Sequence, residues 1–149
     1  MAFQAKTRDP LLDSNMQAAI EKRGIELLGL GMIAVGLLAA MMFWSYSPED
    51  PSFLSATDAP VQHWLGRFGA SIAAPLLMIV GKGVWGIPLV FLTWGVRFAM
   101  HRGQDRAVGR LIFFPIWVAI GSVYASTLVP PLTWTHSFDL GGLFGETAL

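Results

Sequence analysis

The side chains able to do chemistry are few and scattered. Lys82 is the one charge between Phe68 and Val96, a stretch of 29 residues, and an ionisable group in such surroundings is a functional candidate by default. Its Gly81-Lys82-Gly83 setting invites a phosphate-binding loop. That loop needs a glycine where Leu76 stands and a Ser or Thr where Gly83 stands. A lysine that lays its stem in lipid and lifts its ammonium to water accounts for the residue without a ligand. His63, His101 and His136 are far apart in the chain, so a shared metal is not expected and they read as polar loop residues. There is no G-x-S-x-G, no H-E-x-x-H and no pair of carboxylates at a pocket-like position. Glu26 and Asp50 fall at or beyond the ends of an apolar run, which leaves no intramembrane proton relay. The chain has no cysteine, hence no disulfide, thiol nucleophile or thiolate metal site. Neither cofactor nor enzymatic activity is expected from it.

The elements that carry these residues are apolar. Hydrophobic residues make up 54% of the 149 and charged residues 13%, whereas a soluble domain carries about 25% charged residues. Leu27 to Pro48 contains no charged side chain across 22 residues. As a helix it covers roughly 33 Å, the thickness of a hydrocarbon core. It ends in Met41-Met42-Phe43-Trp44, bulky where a signal peptidase needs small residues, so a retained helix is expected. Ahead of it, Ser14 and Gln17 fit a capping box. Leu12, Met16, Ala19 and Ile20 recur at helical spacing, as in an amphipathic segment that either lies on the membrane or extends the first helix.

Phe68 to Val96 would reach roughly 43 Å as one straight helix, too long for a bilayer without strong tilt. The Gly81-Lys82-Gly83 triplet offers a break. Pro88 is expected to kink the span that follows. The fold class read from this pattern is all-α: a polytopic transmembrane helical domain with three spanning helices plus an interfacial or re-entrant apolar helix. The spans fall at about residues 25–46, 84–100 and 111–129, and the interfacial helix at about 69–80. Two domains of organisation follow, a cytoplasmic tail with the amphipathic segment over about 1–24 and a membrane domain over about 25–149. The latter holds an outer loop over about 47–68 and an outer tail over about 130–149. Whether 69–80 is interfacial or the first half of a long tilted span stays open.

Eight of the ten basic residues lie on one side of these spans: Lys6, Arg8, Lys22 and Arg23 before the first, and Arg97, Arg102, Arg106 and Arg110 between the second and third. The positive-inside rule then places both segments in the cytoplasm. The arginine loop suits anionic lipid headgroups at about 1 kcal/mol per residue. A formal net charge of zero argues against direct contact with nucleic acid. Small residues four apart, Gly36 with Ala40 and Gly121 with Ala125, make faces on which helices can approach closely, within the chain or between copies. Most of the six tryptophans fall near expected interfaces, where indoles anchor.

The loop carries a more specific signal. Ser45-Tyr46-Ser47-Pro48-Glu49-Asp50-Pro51-Ser52-Phe53, followed by Trp64, Gly66, Gly69 and Ala70, resembles the N-terminal membrane domain of the bacterial FtsK/SpoIIIE DNA translocases. That family's first outer loop reads S-Y-x-P-x-D-P-S-[WF] and then x-N-W-x-G-x-x-G-A. Tyr46, Pro48, Asp50, Pro51, Ser52, Trp64, Gly66 and Gly69 carry the match, and His63 stands where the family usually has Asn. Gly141-Gly142 with Gly145 resembles the G-G-x-x-G that opens the family's fourth membrane helix. The resemblance runs from about Glu26 onward and covers three of the four spans. It implies that the chain stops before the fourth helix, the linker and the RecA-like motor.

What the resemblance implies is a membrane anchor and divisome-interaction domain of a septal DNA translocase, acting in cell division and chromosome segregation. Its implied setting is the bacterial inner membrane, multi-pass, at the division septum, with the N-terminus cytoplasmic. Its implied partners are the lipid bilayer, further copies of itself up to a hexamer, and other division membrane proteins. A motorless accessory subunit of a larger membrane complex is the alternative. A small transporter or channel ranks last, because the first and third spans offer only Ser122, Tyr124 and Ser126 as polar groups along a path.

Overall fold

A computed structural model describes residues 13–102 and 107–149. The expected tail over residues 1–10, Leu12 and Arg106 lie outside the described residues. Among the described residues six α-helices follow one another: α1 Ser14–Trp44, α2 Gly66–Val80, α3 Gly86–Ala99, α4 Ala107–Leu111, α5 Phe113–Ser126 and α6 Gly142–Ala148. A 3-10 turn, Gly81–Trp85, joins α2 to α3. The described residues contain no strand, and three stretches are long and apolar enough to cross a membrane: Ser14–Trp44, Gly66–Ala99 and Gly109–Ser126. The fold is all-α, and this is a membrane protein.

The amphipathic segment and the first span are one helix of 31 residues. The expected capping box does not form. Ser14 is already helical, Asp13 occupies the N-cap without a side-chain bond, and the first turn closes through Gln17 N–H to the Asp13 carbonyl at 2.9 Å. Along α1 the buried residues are Gly29, Gly36 and Phe43, seven apart and so on one stripe. Gly29 and Gly36 on that stripe face α3, which runs antiparallel, and Phe43 packs on α2 and the 3-10 turn. Leu27, Leu28, Leu30, Leu37 and Leu38 are left at least 49% exposed. In water this would be untenable, but lipid tails are as apolar as leucine and the exposed faces lose nothing there.

Pro88 does not kink α3. It stands in the first turn of that helix, where the missing N–H would have had no intrahelical partner. The second apolar stretch does break at the glycine triplet, where Gly81 has φ +53, a left-handed conformation cheap only for glycine. The small core sits beside that break: Phe43 from the last turn of α1, Ala73 and Leu77 from α2, and Val84 from the 3-10 turn. The middle of α2 therefore packs on the end of α1, at the same end of the bundle as the Tyr46–Leu65 loop.

Candidate functional site

Two polar anchors at the loop end begin the cap. A helix leaves its last four carbonyls without intrahelical donors, and α1 finds substitutes for two of them. Ser45 gives both its backbone N–H and its Oγ hydroxyl to the Met41 carbonyl, at 3.0 and 2.9 Å. The Met42 carbonyl accepts from His63 Nε2 at 2.9 Å, 21 residues away. On its other edge His63 Nδ1 accepts from the Leu65 N–H at 3.0 Å. The imidazole is 4% exposed, so it is no ordinary loop histidine: it ties the end of α1 to the start of α2. The bond to a backbone N–H two residues on is the one an Asn side chain makes in an Asx-turn, which gives a physical reason for His63 to replace Asn. Gly69 lies directly beneath the ring, where a Cβ would stand 2.5 Å from His63 Cε1.

Asp50 supplies the second anchor. It is 2% exposed, and its Oδ1 accepts from the Gln62 N–H at 2.7 Å, closing the loop across 12 residues. Its Oδ2 is buried with no partner among the described residues. Pro51 and Ser52 are buried beside it, and Ser52 and Ser55 exchange backbone hydrogen bonds at 3.0 and 3.3 Å. The Tyr46 ring stacks on His136, centroids 5.6 Å apart, and His136 stacks on Phe138 at 5.2 Å. Trp134 meets the His136 edge at 4.2 Å and donates its Nε1–H to the Phe138 carbonyl at 2.7 Å. Lys82 places its ammonium 5.5 Å from the Trp134 ring centre, a cation–π contact. Burial lowers the pKa of His136 from the usual histidine value. A cleft of about 310 Å³ opens between Tyr46, Pro48, Leu54, His136 and Phe138.

The structure thus brings Tyr46, Asp50, Pro51, Ser52 and Gly69 into one cap. Pro48 is at its exposed rim, and Gly66 turns the chain into α2 with φ +64. Trp64 contributes its backbone alone: its N–H reaches Ser45 Oγ at 3.3 Å while the side chain is 65% exposed.

Below the cap, residues 140–145 wedge between α2 and α5. Lys82 N–H donates to the Leu140 carbonyl at 2.7 Å. Ser122, fully buried, gives its hydroxyl to the Gly141 carbonyl. A Cβ on Gly81 would collide with the Leu140 carbonyl and the Gly142 nitrogen. One on Gly145 would stand 2.5 Å from Ser122 O and Ser126 Oγ. Lys82 therefore marks a latch: its backbone joins the break to the tail, and its side chain covers an indole.

The small-residue faces divide. Gly36 packs within the chain, a Cβ there lying 2.9 Å from Leu92 Cγ, and Ala40 is half-buried on the same helix. Ala125 is buried, but Gly121 has open space where its Cβ would be. Gly29 and Gly95, not singled out by the sequence reading, make the closest approach between α1 and α3, with Gly29 against Ala99 and Gly95 against Ile33. The spacing of Gly29 and Gly36, seven apart, was the available signal.

At the opposite end Arg97, Arg102 and Arg110 are exposed. His101 takes φ +55 and closes α3 with the paired bonds of a Schellman motif, His101 N–H to Phe98 O and Arg102 N–H to Arg97 O. Its ring reaches back to α1, 3.3 Å from the Lys22 carbonyl and 3.6 Å from Glu26, which also pairs with Arg23 at 2.6 Å.

Residues 21–149 match the family described as the 4TM region of DNA translocase FtsK/SpoIIIE. The chain is 31% identical over 135 residues to the DNA translocase FtsK of Bradyrhizobium diazoefficiens, covering 91% of this chain and 16% of that protein. It is 30% identical over 146 residues to FtsK of Brucella suis, 96% of this chain and 16% of that one. With FtsK of Caulobacter vibrioides the identity is 30% over 119 residues, 77% and 14% of the two chains. The match therefore spans about a sixth of these relatives' length. No solved structure matches the chain. With its matched residues forming apolar helices under a capped loop, the chain belongs to the family of the 4TM region of DNA translocase FtsK/SpoIIIE.

Proposed function

We propose that this chain is the membrane anchor of a septal DNA translocase, non-catalytic in itself, which holds a motor at the closing septum and contacts other division membrane proteins. The observation that carries the reading is the family match over residues 21–149, reinforced by relatives that are themselves called DNA translocases. The arrangement in the inner membrane follows from charge. Lys22, Arg23, Arg97 and Arg102 gather at one end of the bundle, and the positive-inside rule makes that end cytoplasmic. The capped loop is then outside, with α2 lying near the outer interface. Self-association, up to the hexamer implied by the family, would use a face free within the chain, and Gly121 marks one. Nucleic acid is left to the motor, since the arginines here are placed for lipid headgroups.

Two measurements test this. A fluorescent fusion of the chain should concentrate at division septa in dividing cells, and an even distribution around the envelope sinks the anchor-at-septum reading. The absence of cysteine makes topology direct to read. Asp58→Cys should react with an impermeant maleimide added to intact spheroplasts, and Arg102→Cys should react only after lysis. The reverse pattern overturns the orientation.

A further inference from the structure

Three indoles at the loop end line one open groove of about 230 Å³, floored by Ala40 and Met41. Trp44 closes α1, Trp85 closes the 3-10 turn and Trp64 precedes α2. The Trp44 and Trp85 rings stand 6.2 Å apart with their planes at 85°, two walls of a box. Ser45 Oγ holds the Trp64 backbone beside them. These rings are 73%, 65% and 37% exposed, and their N–H groups find no acceptor among the described residues. Trp134 differs on both counts, being packed on His136 and bonded to the Phe138 carbonyl.

We propose that Trp44, Trp64 and Trp85 form a cage for the ammonium headgroup of a zwitterionic phospholipid. The electron-rich faces of converging indoles attract a cation, and three-sided aromatic cages are a recurrent solution for ammonium groups. Ala40 and Met41 offer the apolar floor along which the glycerol and first methylenes lie. Among the described residues no cationic side chain lines the groove, so an anionic headgroup would lack its partner there.

The test uses the purified chain in mild detergent with equal amounts of phosphatidylethanolamine and phosphatidylglycerol of matched acyl chains, and native mass spectrometry of the retained lipid. The expected result is a five- to tenfold preference for phosphatidylethanolamine, about what a partly desolvated cation–π contact supplies. Trp44→Leu with Trp85→Leu should abolish the preference, and Trp134→Phe should leave it. Trp64→Leu carries the same expectation of loss at an exposed loop side chain, so failure of the double variant to fold does not protect the idea. Equal retention of the two lipids would show plain interfacial anchoring and overturn the cage. So would a preference that survives in Trp64→Leu.

Discussion

Between α1 and α3 the chain brings backbones together by removing side chains; at the loop end it brings segments together by pairing polar ones. The first contact runs through Gly29, Gly36 and Gly95. The second runs through Asp50, His63, Ser45 and an aromatic stack. The difference follows the solvent. In lipid, apolar faces gain nothing by meeting, so close packing and weak backbone contacts must supply the attraction. At the wet end, backbone groups that leave helices need partners, and buried side chains with fixed geometry provide them. The seam depends on the absence of side chains, whereas the cap, Gly69 apart, depends on keeping its acceptors.

Gly95→Leu is the sharpest way to break that contrast. A Cβ there meets Ile33 Cγ1 at 2.7 Å and the Gly29 carbonyl oxygen at 2.8 Å, and backbone on a facing helix cannot step aside. A loss of more than about 3 kcal/mol is expected, read by unfolding in mild detergent with helical circular dichroism. A near-neutral variant would mean that the hairpin is held elsewhere. Asp50→Ala and His63→Leu come next, at about 1–3 kcal/mol each for a stranded backbone group. Asp50→Asn and His63→Asn keep an acceptor for Gln62 and Leu65 and should cost under half as much in the same assay. Equal costs for the paired variants would show that shape, not hydrogen bonding, holds the cap.

A smaller effect should come from pH. The folded pKa of His136 lies below the ordinary value, because burial disfavours the imidazolium. The unfolded chain therefore binds the proton first, and stability is fully present above the ordinary histidine pKa of about 6.5. It is lost as pH falls through that value toward the lowered folded one. Because the ring is only part-buried, the slope should be shallow, and His136→Phe should flatten it. Smallest of all is Gly121→Leu, expected to move monomer stability by no more than about 0.5 kcal/mol, since nothing lies within 4 Å of a Cβ there. If cross-linking nonetheless shows that this variant no longer self-associates, Gly121 belongs to a contact between copies.

Location and helix content were legible because they depend on composition and run length. Leu27–Pro48 needs no partner to declare itself a span. The break at Gly81 was legible for the same local reason. The cap was visible only as a motif. Nothing in the spacing of His63 reveals that its ring reaches the Met42 carbonyl, because that bond depends on how a 20-residue loop returns to the helix it left. Pro88 misled because a proline is disruptive or harmless according to its distance from a helix start, and that start is set by Gly86 against Trp117, a tertiary contact. Gly29 went unread because a search for small residues four apart misses a heptad stripe; Gly95 and Ala99 are four apart and fit that search, and were passed over.

The tie between Lys82 and Leu140 joins residues 58 positions apart, which imposes an order on biogenesis. Emerging from a ribosome, α1 and α3 can meet as a hairpin once Ala99 has been made. The hinge at Gly81 has no carbonyl to receive its neighbour's N–H until the tail arrives. Before then the far end of α2 has α5 to pack against, through Gly83 beside Val118 and Ser122. Synthesis of Gly141 and Gly142 then ties this tail back to the end of α2. Pulse-labelled chains stalled before residue 140 should accordingly expose the Gly81–Trp85 turn to protease, and chains stalled well beyond residue 149 should protect it.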